Sequence, residues 1–402
     1  MSLNNSQKAP KKILIFSLAY YPFIGGAEIA IKEITDRISS DDFEFDMITL
    51  RFDKNLPKFE KIGNVNVYRI GWGKERPTME NLVKFPMYLN KVFFPDMAFL
   101  KAWTLDRKRR YDAMWCMMSY SGFPAIFLHW LKRRIPIILT LQEGDSISHI
   151  TRRLRIRIVG PIYKAIFKKA SIVQVIYTYL GNFTRNIGLK SNIKVIPNAV
   201  DTNYFSAKVS EDNLNDLKEK LGKKEDDIFL ITTSRLVPKN GVEDIIESLT
   251  YLPENYKLLI LGIGPLEKEL KNKVEKLGLK NQVNFLGQLG YTEIPQYLQV
   301  SDIFVRPSLS EGMGNSFIEA MAAGIPVVAT AVGGITDFLH DRWTGVVVKV
   351  NDPKDVAEKV KLIAGDQALR EHVVRQAQKL VFEKYDWDLI AKDMRERVFL
   401  RV

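Results

Sequence analysis

The sequence predicts an α/β protein made of two doubly wound, Rossmann-like parallel-sheet lobes facing a central cleft. Three observations carry that prediction. A chain of 402 residues exceeds one ordinary core and suits two domains of common size. Short β-branched runs alternate with charged amphipathic stretches, the pattern of a parallel sheet wrapped by helices. The same alternation restarts in the second half.

In the first half, Ile13–Leu18, Phe45–Leu50, Ala113–Met117, Ile135–Leu141 and Ile172–Ile176 read as strands. In the second, Ile228–Thr233, Lys257–Leu261, Val283–Leu286, Ile303–Val305, Ile325–Ala329 and Gly345–Val348 do the same. Between the halves lies Lys194-Val-Ile-Pro-Asn-Ala-Val-Asp201, followed by the polar stretch 206–227. The boundary is placed near Asp201, giving lobes 1–200 and 201–386, with a final helix over about 387–402 able to pack back on the first. No internal repeat or low-complexity tract interrupts either lobe.

Hydrophobic residues at 46% and charged residues at 26% describe a globular chain, not a disordered or fibrous one. The single cysteine, Cys116, cannot pair within the chain, which points to a reducing compartment and a packing role. The start of the chain lacks a signal-peptide pattern. The apolar stretch 115–131 is interrupted by Ser119, Ser121, Gly122, Pro124 and His129, so a bilayer-spanning helix is not expected. These features predict a cytoplasmic protein.

Charge divides unevenly. Residues 1–200 hold 32 Lys and Arg against 16 Asp and Glu, leaving 27 against 31 in the remainder. Residues 101–170 alone carry 15 basic and 4 acidic side chains among several aromatics. Leu154, Ile158, Ile162 and Ile166 recur at intervals of four within the basic segment 151–169. Such a helix could lie on an anionic membrane on the inner face of the cell, or be an ordinary core-facing helix with a solvated basic side. No nucleic-acid-binding motif accompanies the charge.

The most informative segment runs from Arg306 to Thr330 and reads as strand, glycine-rich loop, helix, strand. Gly312 and Gly314 permit close backbone approach, and a helix starting near Asn315 offers unpaired amides and a positive dipole end to an anion such as a diphosphate. Glu311 and Glu319 flank that site, and carboxylates accept hydrogen bonds from sugar hydroxyls. Taken alone, such a pair is more often a solvated pair beside a plain turn. Arg235 and Lys239 follow a strand at the carboxyl edge of the second sheet, where open α/β folds bind ligands. Two fixed cations there can stabilise charge growing on a diphosphate leaving group. In the first half, Gly25 and Gly26 stand between a strand and a helix, where their amides could meet a phosphate.

The stretch Ser308-Leu-Ser-Glu-Gly-Met-Gly-Asn-Ser-Phe-Ile-Glu-Ala-Met-Ala-Ala-Gly-Ile-Pro-Val-Val-Ala-Thr330 resembles the signature of the group 1 (family 4) retaining glycosyltransferases of the GT-B fold. Val195-Ile-Pro-Asn-Ala-Val-Asp201, Ser234-Arg-Leu-Val-Pro-Lys-Asn-Gly241, Gly262-Ile-Gly-Pro265 and Gly333-Gly-Ile-Thr-Asp337 follow in the family order. The likeness covers the C-terminal half and is thinner in the N-terminal one, resting there on Tyr20-Tyr-Pro-Phe-Ile-Gly-Gly-Ala-Glu28. It implies sugar transfer, with retention of configuration, from a UDP- or GDP-sugar to a hydroxyl of a glycan or lipid-linked acceptor. It further implies that Glu311 meets the donor sugar, Glu319 the ribose, and Gly312, Met313, Gly314, Asn315 and Ser316 the sugar and diphosphate. Arg235, Lys239 and Glu311 are thus the catalytic candidates.

Two departures stand out. Gln142 occupies the place where many members carry an acceptor-side histidine, so the contact there is positional, or Glu143 or Asp145 takes on acid–base work. Ile263 stands in a Gly-x-Gly-Pro turn that is usually polar. The four histidines show no ligand spacing and no Asp-x-Asp element announces a metal-bridged diphosphate. No cofactor and no metal are therefore expected. A nucleotide-sugar epimerase of similar fold and a non-catalytic nucleotide-sugar-binding module stay open as alternatives. A dinucleotide-binding dehydrogenase is disfavoured, because no Gly-x-Gly-x-x-Gly follows the first strand.

Overall fold

The structure is a computed structural model. It describes residues 9–75, 77, 84–132, 134–142, 160–186 and 192–402. The chain divides into two compact units: one ends at Asn198 and takes in Trp387–Val402, and the other is Ala199–Asp386.

The first unit holds an eight-stranded sheet of β1 (Lys11–Phe16), β2 (Phe43–Leu50), β3 (Phe59–Ile62), β4 (Val65–Ile70), β5 (Ala113–Met117), β6 (Ile137–Leu141), β7 (Ala170–Val175) and β8 (Asn192–Val195). Their order is β3-β4-β2-β1-β5-β6-β7-β8, parallel throughout except for the β3–β4 hairpin. β1, β5 and β6 are almost wholly buried apolar runs, as strands covered by helices on both faces require. β3 and β4 were not expected as strands. Their alternating polar and apolar residues make an edge hairpin turned at Gly63, where φ is +54°. β8 was read as part of the connection between the lobes; it pairs with β7 as the far edge of the sheet.

The end of the chain belongs to this unit. The helix Trp387–Arg397 is followed by a short turn whose Phe399 packs edge-on against Trp115 at 5.1 Å and against Phe43 and Phe45. Arg395 pairs with Asp42 at 2.9 Å. Cys116 is buried within β5, and burial pushes its thiol pKa well up, consistent with an inert packing residue.

The second unit holds β9 (Ile228–Thr233), β10 (Tyr256–Leu261), β11 (Val283–Gly287), β12 (Ile303–Arg306), β13 (Val327–Thr330) and β14 (Val346–Val348). All neighbours are parallel, in the order β11-β10-β9-β12-β13-β14. Numbered from its own first strand this is 3-2-1-4-5-6, the dinucleotide-fold order, with the topological switch between β9 and β12. Leu230, Leu258, Ile260, Ile303, Val305 and Val328 form one side of its core against the helices Val242–Ser248 and Pro353–Gly365. Among the described residues no helix is long and apolar enough to cross a membrane.

Candidate functional site

The carboxyl edge of the second sheet carries the site. Glycines at two places draw its loops close together. Gly262, after β10, has φ +142°, and a Cβ there would lie 1.9 Å from the carbonyl oxygen of Ser234. Gly241 has φ +66°, with its would-be Cβ 2.1 Å from the carbonyl oxygen of Pro307. These contacts pull the loops after β9, β10 and β12 together with no room for side chains between them.

A cavity of about 240 Å³ opens there, lined by Thr233 and Ser234 at the end of β9, Leu261 and Gly262 at the end of β10, Gln288, Leu289 and Ile294 beyond β11, and Ser316 and Glu319 on the helix Asn315–Ala322. That helix begins at Gly314, with φ +72°, and no side chain caps it. Its first amides therefore remain available to an anion. Gly314 has to be glycine: a Cβ would fall 2.7 Å from the Phe317 ring.

Glu319 lies one turn into this helix. Burial pushes its carboxyl pKa up to about 7, against the attraction of Arg306. No hydrogen bond to its carboxylate is found among the described residues. It faces the cavity as an acceptor without a partner, or, when protonated, as a donor.

Glu311 is placed differently. Its carboxylate pairs with the guanidinium of Arg306, and its Oε1 accepts the backbone N–H of Gly312 at 3.1 Å. The amide of Gly312 is thus not free for a ligand, as the glycine loop had suggested; the neighbouring carboxylate satisfies it. Met313 is buried, and Asn315 and Ser316 are half-buried at the helix start. Beneath the loop, Gly333 has φ +56°, and a Cβ would stand 1.9 Å from the carbonyl oxygen of Glu311.

Arg235 is exposed and Lys239 half-buried, and neither side chain pairs with a carboxylate among the described residues. The turn Pro238–Asn240 is stitched to the glycine loop, since Leu309 N–H donates to the Lys239 carbonyl at 2.7 Å. Asn240 ties it inward: Nδ2 donates to the Arg235 carbonyl at 2.6 Å, and Oδ1 accepts from Arg306 at 3.0 Å. Ile263 is exposed in its turn, and its carbonyl accepts the N–H of Leu236 at 3.0 Å. Ser316 and Glu319 are the sequence candidates that line the cavity; Arg235, Lys239 and Glu311 flank it. Thr233, Ser234, Gln288 and Leu289 were not singled out from the sequence. Their signal was available, because each stands at or within three residues of the end of a predicted strand at the ligand-binding edge.

In the first unit, Gly25 precedes the helix Gly26–Asp36, and its N–H donates to Glu28 Oε2 at 2.8 Å. A capping carboxylate therefore occupies the amide that was expected to meet a phosphate. Burial raises the pKa of that carboxyl. Gln142 follows β6 and exchanges two hydrogen bonds of 3.2 Å with Asn198, amide against amide. Asn198 also stands beside Gly26, with Nδ2 3.9 Å from where a Cβ there would lie. The residue that replaces the expected histidine is thus held by the Pro-Asn motif of the same unit. Glu143, Asp145 and residues 151–159 lie outside the described residues. Among the described residues no three His, Cys, Asp or Glu cluster as a metal site would require.

Comparison with known proteins adds two family matches and near full-length relatives. The family described as "Glycosyl transferases group 1" matches residues 214–380, and "Glycosyltransferase Family 4" matches residues 24–204. An uncharacterized glycosyltransferase of Methanocaldococcus jannaschii is 27% identical over 95% of this chain and 96% of its own. The alpha-monoglucosyldiacylglycerol synthase of Acholeplasma laidlawii is 24% identical over 85% of each chain. Among solved structures, sucrose-phosphate synthase from Thermosynechococcus elongatus superposes with a TM-score of 0.79 at 20% identity, covering 98% of this chain and 100% of that one. The last likeness is one of fold.

Proposed function

The chain belongs to the group 1 glycosyltransferases, enzymes acting on glycolipid or glycan acceptors, and on that premise we propose that it moves a sugar from a UDP- or GDP-sugar to a hydroxyl of a lipid-linked or glycan acceptor, with retention and without a divalent metal. The observation that carries the donor side is the cavity at the switch point of the second sheet, where Glu319 faces an uncapped helix start. A ribose diol bonded to Glu319 would leave the diphosphate at the amides of residues 313–316, which the helix dipole favours. As the bond from the anomeric carbon to the diphosphate breaks, its electron pair stays on the leaving oxygen. Arg235 and Lys239, unpaired among the described residues, stand ready to stabilise that charge.

The acceptor reading draws on the first unit. The helix Met87–Arg109 turns its buried stripe, Phe94, Ala98 and Ala102, inward and leaves Val92, Phe93 and Leu100 exposed, with Phe85 exposed just before it. Phe99 meets Phe127 of the helix Gly122–Leu131, which adds exposed Trp130 and Leu131. Arg107, Lys108 and Arg110 are exposed beside this face, and Lys168 and Lys169 end the helix Gly160–Lys169. A helix face that is apolar apart from the exposed Asp96 and is edged with cations fits an anionic lipid surface. The lipid product named for the Acholeplasma relative supports the same acceptor class.

The test is a panel of UDP- and GDP-sugars, scored by thermal shift and by nucleotide release with a lipid acceptor mixture, in the presence of chelator. Stabilisation by one nucleotide-sugar and release that survives the chelator are expected. Strict dependence on a divalent metal would sink the cation-clamp mechanism, and no stabilisation by any of the donors would sink the donor site.

A further inference from the structure

β12 ends in an arginine that its fold does not need. Ile303, Phe304 and Val305 before it are buried apolar residues, and Arg306 continues the strand with a side chain only 8% exposed. Removing a guanidinium from water is costly, and replacing a buried ion pair by packed apolar groups is often neutral or stabilising. Stability alone thus gives a poor reason for this residue. Its contacts give a better one. Nη1 donates to Ser316 Oγ at 2.6 Å, and Nη2 donates to Asn240 Oδ1 at 3.0 Å and to the carboxylate of Glu311. The guanidinium also lies over the Phe317 ring, 5.0 Å from its centroid.

Those partners come from three separate segments: the turn that carries Lys239, the glycine loop, and the first turn of the helix that carries Glu319. On the donor-site reading above, we propose that Arg306 is a positioning residue that registers these segments on one another and thereby presents Glu311 to the sugar of the nucleotide-sugar. The fork geometry is essential. A guanidinium can donate in several fixed directions within one plane, whereas an ammonium is a point charge on a flexible stem. Asn240 extends the register outward, because it accepts from Arg306 with one end of its amide and donates to the Arg235 carbonyl with the other. Glu319, on the far side of the same guanidinium, shares its charge without a hydrogen bond from it. Arg306 therefore acts through Glu311 and the loop, on the part of the ligand beyond the nucleotide.

This makes a selective prediction. Arg306→Lys keeps a cation beside Glu311 and Glu319 but loses the fork. In the full-length chain, measured by calorimetry with UDP, GDP, UDP-glucose, UDP-N-acetylglucosamine and GDP-mannose, the variant is expected to bind the parent nucleotide within about threefold of wild type. For the preferred nucleotide-sugar it is expected to lose about tenfold or more, the scale of one charge-assisted hydrogen bond. Asn240→Ala, which removes a neutral partner and leaves the ion pair, is expected to show a smaller loss with the same selectivity, and it serves where the lysine variant does not fold. Equal losses for nucleotide and nucleotide-sugar would make Arg306 a merely structural residue, and no loss for either would make it irrelevant; both overturn the inference. Failure of wild type to bind any of the five ligands would instead overturn the donor-site reading.

Discussion

Gly333→Ala isolates the backbone logic of the site. At φ +56° an alanine pays about 1–2 kcal/mol for left-handed backbone. Its Cβ would also stand 1.9 Å from the carbonyl oxygen of Glu311, where real Cβ atoms do not come closer than 3.0 Å. The Glu311 backbone must therefore recede by about 1.1 Å, and if Glu311 has its proposed role, a displacement of about 1 Å costs on the order of 100-fold in rate. Gly222→Ala supplies the control: its φ is +66°, and nothing lies within 4 Å of a Cβ there. Both variants are to be compared by urea unfolding and by initial rates of nucleotide release from the preferred donor. A loss of about 1–2 kcal/mol in Gly222→Ala and a larger one in Gly333→Ala, where the clash adds to the backbone cost, is expected, with the rate defect confined to Gly333→Ala. If Gly333→Ala retains the rate of Gly222→Ala, the packing of residue 333 under Glu311 does not position the site.

Three further outcomes are expected. Glu319, with its pKa pushed up to about 7 from an ordinary 4.5, binds its proton in the folded chain over a range where the unfolded chain has released it. Stability then falls as pH rises from about 4.5 through 7, by at most about 3 kcal/mol, and Glu319→Gln flattens that slope in pH-dependent urea melts. Gln142→Ala and Asn198→Ala each strand the other's amide and should cost about 1–3 kcal/mol, with the double variant costing less than the two together; strict additivity in the unfolding cycle would contradict the pairing. Phe93→Glu and Leu100→Glu should each lower sedimentation with phosphatidylglycerol vesicles about tenfold, while phosphatidylcholine vesicles bind neither wild type nor variant.

The fold was legible because its information is periodic. Buried strands such as β9 and β10 are continuous apolar runs, and their recurrence between amphipathic helices leaves few topologies open. The Glu311–Glu319 segment was legible for a local reason: glycines, a strand end and a helix start sit within a dozen residues. β3 and β4 escaped because a half-exposed hairpin alternates polarity, which a search for apolar runs overlooks.

What the sequence by itself determined about this protein is therefore its class, its two sheets and the address of a candidate donor site. Tertiary structure alone decided the state of the groups within it. Gly25 and Gly312 look like free amides in the sequence, yet Glu28 and Glu311 occupy them. Arg306 looks like the last residue of a strand, yet it joins three segments separated by up to 76 positions, from Asn240 to Ser316. Hydrogen bonding depends on where side chains meet in space, and burial sets the charge state of Glu319. Neither property is carried by residue spacing, so both had to wait for the packed chain.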